Sequence, residues 1–335
     1  MFVMNDCKKK LPIGDAPIKY IMRFYVPLMI SFQSDDAEGW FCSSYILTKV
    51  KKTNKLWMVY QNSNPFVKRF PLPFFSSRLL NVKMLKTIIK FLIDKKWYIF
   101  LNLDFFYVKN SDFFQKKHYH HSVLLHGYDE QNNIVSLCGY CFGAKIKSVD
   151  ISIEDFLKAF FSCQHNQTWV YKRRKKNKDF NKRFFYLGVR SYATSSCPIE
   201  YQLRAKSFSI KKHEYYGIKA HSQLQNDLKK ILEGTDLNLT LRLYSYLELT
   251  RCMVRRRDYV QKNEILKDTQ DIKIEFINLS DKYSIMLNLF LKYRLNRDLN
   301  IISKIINMEK NICLEEQELY SRLYKSMKKQ YNYKK

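Results

Sequence analysis

The spacing of apolar residues changes along the first half of the chain. From Asn81, apolar residues recur at three- and four-residue intervals up to Ile93, which predicts an amphipathic helix ending near Asp94. Short apolar runs follow at close intervals and predict strands over residues 97–103, 122–127, 134–138 and 144–149. A second helix is predicted behind Ser152, because a serine side chain can cap a helix N-terminus.

The second half has a different pattern. Segments free of Gly and Pro repeat apolar residues at helical spacing, which predicts helices over residues 216–233, 237–260, 279–306 and 313–331. Only Phe184–Tyr192 looks β-like. We therefore expect an α+β protein, with an N-terminal domain that packs a helix layer against an antiparallel sheet and a small α-helical C-terminal domain.

A strongly basic stretch separates these two patterns. Residues 172–183 carry eight basic side chains against one Asp, and such a block repels itself and favours exposure. We predict a domain over 1–168, a basic linker over 169–192 and a helical domain over 193–335. The alternative for the basic stretch is a docking site for RNA, an anionic carrier protein or acidic lipid.

Composition and charge narrow the classes of protein. An apolar fraction of 46% with 16% aromatics is typical of a packed globular protein. The formal charge of +28 suggests a nucleic-acid partner, but the Lys-, Asn- and Ile-rich composition is also that of an AT-rich genome. No leader and no membrane span are predicted, and the eight scattered Cys are those of reduced thiols, so we expect a cytoplasmic protein.

Four of the seven His lie within residues 118–126. If this segment is a strand, successive side chains alternate between faces, so His120 and His121 point in opposite directions. No acidic or His residue follows at a spacing that would complete a ligand set. We therefore predict neither a metal site nor a cofactor here.

A family resemblance begins at the same segment. The run His121-Ser-Val-Leu-Leu-His-Gly-Tyr-Asp129, followed by a hairpin and a second strand, resembles the histidine strand of papain-like cysteine enzymes of the bacteriocin-leader-peptidase type. The order of elements is similar to that of the family named for the N-terminal domain of the butirosin-biosynthesis H protein. The similarity covers residues 11–165 and, more loosely, 210–262.

The resemblance implies a papain-like fold and a Cys–His–Asp/Asn site, with a thiolate nucleophile and His121 as general base. The best-understood butirosin-type member transfers an acyl group from a carrier-protein thioester to an amine. Where the nucleophile is expected, residues 24–28 contain no Cys. Cys42 is the substitute, and Gln33 is the nearby amide for an oxyanion.

The third position of such a site falls at Gly139, where these proteins often carry Asp and where Gly cannot orient an imidazole. Asp129 lies at the wrong end of the hairpin, which leaves Asp104 at the end of the preceding strand. We include Tyr25, His118 and His120 as candidate binding residues.

Three functions follow. The first is a bacterial accessory protein of peptide or aminoglycoside-type natural-product biosynthesis, with a degenerate papain-like domain that binds an acyl-carrier protein or a peptide. The second is an active thiol acyltransferase or peptidase that uses Cys42 and His121. The third is a basic nucleic-acid-binding protein.

Overall fold

The computed structural model divides the chain into two compact units, Met1–Asp35 with Asn64–Lys176 and Asp36–Ser63 with Asn177–Lys335. The structure describes residues 7–19, 22–44, 47–51, 55–59, 64–73, 75, 79–140, 142, 146–163, 168–176, 179–196, 214–266 and 270–331. An antiparallel sheet region is followed by a helical region, which confirms the predicted α+β class.

The first unit contains a seven-stranded sheet whose described pairings are all antiparallel. Its strands are β1 (Lys8–Lys10), β4 (Val67–Pro71), β5 (Trp97–Asp104), β6 (His120–Asp129), β7 (Ile134–Gly139), β8 (Lys147–Ser152) and β9 (Trp169–Arg173). The order across the sheet is β4-β9-β5-β6-β7-β8, and β1 pairs with β6 beyond the end of β5. Most residues of the central strands β5, β6 and β7 are buried, because each of these strands has neighbours on both edges.

Three helices belong to this unit: α1 (Met22–Ser31), α3 (Val82–Asp94) and α4 (Ile153–Phe161). Helix α3 begins where the sequence predicts it, because the Asn81 side chain accepts a hydrogen bond from the Met84 N–H at 2.9 Å. Its buried residues are Leu85, Ile89 and Ile93. Ser152 caps α4 through the Asp155 N–H at 3.1 Å, which confirms that prediction too.

The second unit contains a three-stranded sheet and six of the described helices. The strands are β2 (Leu47–Lys51), β3 (Lys55–Val59) and β10 (Glu214–Tyr216), in the order β10-β2-β3. The helices are α2 (Glu38–Ser44), α5 (Lys182–Thr194), α6 (Lys219–Leu232), α7 (Thr240–Lys262), α8 (Gln270–Asn296) and α9 (Leu299–Tyr331).

Two predictions for this unit are wrong. The β-like patch 184–192 is part of helix α5, whose residues Phe185–Val189 are all buried, so this helical run has the continuous apolar character of a buried strand. The predicted helix 279–306 is interrupted at Arg297, whose backbone has the left-handed φ of 57°. Part of the stretch predicted as a linker, 169–192, forms regular structure: it contributes β9 to the first unit and most of α5 to the second.

A buried ionic cluster lies among the helices of the second unit. His221 is fully buried, with Nδ1 3.0 Å from Glu309 Oε1 and Nε2 2.9 Å from Glu316 Oε2. The hydroxyls of Tyr192 and Tyr283 donate to Glu316 at 3.0 and 2.7 Å. Burial opposes the charged imidazole, but the two glutamates outweigh burial and raise the pKa of His221 to about 9.

This cluster predicts a stability that depends on pH. The pKa of His221 is higher in the folded protein than in the unfolded chain, so its stabilisation is complete below about pH 6.5 and is lost as the pH rises through about 9. The loss should be about 3 kcal/mol. Urea unfolding across this pH range measures it.

The control is the double variant His221→Gln with Glu309→Gln, which keeps hydrogen-bonding groups in place and removes one charge of each sign. Its free energy of unfolding should change less over the same pH range than that of the wild type. Equal slopes in the two proteins would show that the cluster is not the source.

Candidate functional site

His121 lies near the start of β6, a central strand of the sheet. It is the second residue of β6 and stands opposite Leu103 of β5. Its Nδ1 lies 3.0 Å from the carbonyl of Ser122, and its ring stacks on that of Tyr119 with centroids 5.5 Å apart. A carbonyl only accepts, so Nδ1 carries the proton and Nε2 remains an acceptor. Burial lowers the pKa of His121, which is therefore neutral at neutral pH.

A buried carboxylate lies at the end of the neighbouring strand. Asp104 is 1% exposed and pairs with His120 in the β5–β6 ladder. It accepts backbone N–H groups from Phe106 at 3.1 Å and Tyr119 at 3.2 Å. Burial would raise the pKa of Asp104, but these bonds and the His118 ring outweigh burial and hold the pKa below its ordinary value. Asp104 is therefore an ionised buried anion.

Asp104 brings two half-exposed imidazoles together. His118 Nδ1 lies 2.6 Å from Asp104 Oδ2, and His120 Nε2 lies 3.5 Å from the same oxygen. The His118 ring also stacks on Phe106, with centroids 4.3 Å apart. A contact of 2.6 Å is a short charge-assisted hydrogen bond. The Asp104 carboxylate therefore fixes the orientation of the His118 ring.

The sequence analysis predicts His118 and His120 as binding residues, but it considers Asp104 only as a possible partner of His121. The signal that links them is the strand register, because Asp104 and His120 face each other across the β5–β6 pair. No three His, Cys, Asp or Glu side chains within the described ranges are grouped as a metal ion requires.

Cys42 lies in helix α2 of the second unit, whereas His121 lies in the first unit. The Cys42 side chain is fully buried, with Sγ 3.4 Å from Glu38 Oε1. Glu38 is held in turn by Arg255 through two bonds of 2.7 and 2.6 Å. Burial first and the Glu38 charge second raise the pKa of Cys42 well above its ordinary value, although Arg256 and Arg255 oppose them. The thiol is therefore protonated and enclosed.

The two candidate residues near α1 both have structural contacts. Tyr25 is fully buried in α1, at the position where the resemblance expects a nucleophile, and its ring meets that of Tyr140 edge-on at 5.3 Å. The Gln33 amide donates to the Tyr98 hydroxyl at 2.6 Å, and that hydroxyl donates to the Pro12 carbonyl at 2.6 Å. The Gln33 amide therefore holds the end of α1 against the sheet.

A second feature of the first unit is a basic strip on strand β4, on strand β9 and on the residues that directly follow β9, which we call the cationic edge. Its members are Lys68, Arg69, Lys172, Arg174, Lys175 and Lys176. None of these six cations has an ion-pair partner among the residues that the structure describes. Several lie over aromatic rings instead: Lys68 over Phe70 at 4.4 Å, Arg69 over Trp169 at 4.3 Å and Lys172 over Trp97 at 5.5 Å.

The sequence matches no protein-family model and no curated protein. No helix in the described part of the chain has the length and apolar character that a bilayer span requires.

The surroundings of Gly139 give a test of His121. A Cβ at Gly139 would lie 3.4 Å from Val123 Cγ2 and 3.9 Å from the Ser122 carbonyl oxygen, the same oxygen that the His121 ring contacts. Gly139→Asp should therefore fit and should raise the pKa of His121 by about one pH unit, because a nearby carboxylate favours the imidazolium. Histidine titration by NMR measures the change.

The matched control is Gly139→Asn, which adds the same bulk without the charge. We expect its His121 to titrate close to the wild-type value, and His121→Gln assigns the resonance. Identical His121 pKa values in the Asp and Asn variants would mean that position 139 does not face the ring.

Proposed function

We propose that this chain is a binding protein built on a papain-like domain, and that it performs no thiol chemistry. The observation that supports this most directly is the state of Cys42, which is buried, protonated and adjacent to the carboxylate of Glu38. A thiol nucleophile needs the opposite surroundings, because a nearby cation and partial exposure favour the thiolate.

The papain-like assignment has support from the order of elements. Helix α1 precedes an antiparallel sheet, β6 carries His121 near its start, a polar turn leads to β7, and a Ser-capped helix follows. The position expected for the nucleophile holds the buried Tyr25, and the His121 Nδ1 contacts a backbone carbonyl where a catalytic site would have a carboxylate or amide. Such a domain keeps the shape of the enzyme and lacks its chemistry.

The partner that we propose is an acidic acyl-carrier protein or peptide of bacterial natural-product biosynthesis, for which the chain is an accessory protein. The net charge of +28 attracts an acidic partner over long range and raises the association rate. The cationic edge offers a specific place, because its six charges have no carboxylate partner in the described structure. An acidic partner bound at the cationic edge would neutralise positive charges that have no carboxylate partner in the described part of the folded chain.

Alkylation of the native protein tests the absence of thiol chemistry. Iodoacetamide should label the exposed Cys7 and leave Cys42 unlabelled, because burial and a raised pKa both suppress its reaction. Peptide mass spectrometry gives the rate at each Cys, and the denatured protein shows full labelling. Preferential labelling of Cys42 that disappears in His121→Ala would instead establish the thiol acyltransferase or peptidase.

Binding of a purified acidic acyl-carrier protein tests the partner. The affinity should be the same for the wild type and Cys42→Ser, and it should fall as salt increases, because screening weakens exposed charge pairs. Loss of binding in Cys42→Ser, or an affinity independent of salt, would contradict the proposal. Tighter, steeply salt-dependent binding of poly-U would favour a nucleic-acid partner.

A further inference from the structure

The strand β4 is the last strand at one end of the described sheet, and it pairs only with β9 there. Two bonds next to the ladder show which of its residues face β9. The Arg174 N–H donates to the Phe66 carbonyl at 2.7 Å, and the Leu72 N–H donates to the Thr168 carbonyl at 2.9 Å. In an antiparallel pair, bonded and non-bonded positions alternate.

This alternation gives the direction of every backbone group in β4. Lys68 and Phe70 share the parity of Phe66 and Leu72, so their N–H and C=O groups face β9. The N–H and C=O groups of Val67 and Arg69 therefore face away from the sheet. Pro71 follows them with a carbonyl but no N–H. The outer edge of β4 presents two donors and three acceptors to a further strand.

The side chains beside this edge are basic on both faces of the sheet. Lys68, Lys172 and Trp97 are paired in register across β4, β9 and β5, so they share one face. Arg69 lies on the opposite face, over the Trp169 ring. A strand added to β4 would therefore have cations next to both of its side-chain rows.

We propose that the outer edge of β4 binds an extended acidic peptide segment as an additional antiparallel or parallel strand. This rests on the proposed function and specifies its site and its mode of binding. Backbone hydrogen bonds to Val67 and Arg69 would hold the segment, and its Asp or Glu side chains would pair with the cationic edge. An acidic sequence is favoured because uncharged or basic strands would leave the cations unpaired.

Single-stranded nucleic acid is the other polyanion that such a surface attracts, through phosphates and base stacking. Stacking needs open aromatic faces. Here cations compete for the nearest rings, since Lys68 lies over Phe70 and Lys172 lies over Trp97. The open groups are instead the backbone donors and acceptors of β4, which a peptide strand uses and a nucleic acid does not.

The experiment measures fluorescence anisotropy with a short labelled peptide of alternating Glu and Thr. The control is the same peptide with every backbone nitrogen methylated. It keeps its charge but has no backbone N–H groups to donate to β4. Wild-type protein should bind the methylated peptide about fivefold more weakly or worse, because several backbone hydrogen bonds are lost. Equal affinity for the two peptides would show that charge alone captures them, and it would overturn strand addition while leaving an acidic partner in place.

Variants of the protein test the same edge from the other side. Arg69→Pro removes an outward N–H and leaves the bonds to β9 intact, whereas Arg69→Gln removes the same charge and keeps the N–H. Arg69→Pro should bind about fivefold more weakly than Arg69→Gln, and Lys83→Gln, an exposed cation on α3, should bind as the wild type does. Equal affinities of the Pro and Gln variants would overturn the inference.

Two outcomes separate the inference from the proposed function. If the acyl-carrier protein binds and the peptide does not, the function survives and the strand site is wrong. If poly-U binds and displaces the peptide, both are wrong. Circular dichroism of each variant shows whether it is folded, and the methylated peptide provides a test that needs no variant at all.

Discussion

The pairing of β5 with β6 determines the arrangement of the sheet unit. These two strands share a ladder from Ile99 with Leu125 to Asp104 with His120, and β9 and β7 pair with their outer edges. Because side chains alternate along a strand, a slip of one residue would exchange the faces of every residue in the ladder. The register therefore decides both which apolar residues enter the core and which histidine meets Asp104.

The same register sets the surroundings of the histidine cluster. Asp104 contacts the rings of His118 and His120, whereas the His121 Nδ1 is hydrogen-bonded to the Ser122 carbonyl. Orientation by a carbonyl fixes a ring but does not stabilise its charged form as a carboxylate does. On the proposed papain-like assignment, the described surroundings of His121 give an imidazolium ring less electrostatic support than a thiolate–imidazolium pair needs.

The sequence predicts well what depends on local periodicity and poorly what depends on burial. Helix α3 and strands β5–β7 follow from the spacing of their apolar residues, because these patterns reflect buried faces. Helix α5 is buried on several sides, so its run Phe185–Val189 has no polar face to reveal a helical period. The break at Arg297 was not predictable, because a left-handed residue other than glycine has no marked signature in sequence.

The candidate site residues show the same contrast between what local sequence predicts and what packing determines. The four clustered histidines are visible in the sequence, but the partner of His118 depends on strand register. The neighbours of Cys42 are Glu38, one helical turn before it, and Arg256, which lies far along the chain. Motif spacing alone thus locates the residue types of a site. Whether a thiol is ionised depends on packing that brings its neighbours from elsewhere in the sequence.

An open strand edge is hazardous for any protein, because unpaired backbone groups invite pairing with other copies of the same chain. Positive charge beside the edge lowers this hazard, since two cationic edges repel each other at close range. The same charge does not repel an acidic strand. Under the proposed strand addition, the positive charges of Lys68 and Arg69 on β4 and of Lys172 on β9 disfavour pairing between copies of the chain and favour an acidic partner. Selection of an acidic segment would need no pocket. Backbone hydrogen bonds would hold the added strand, and the positive charges would favour an acidic sequence.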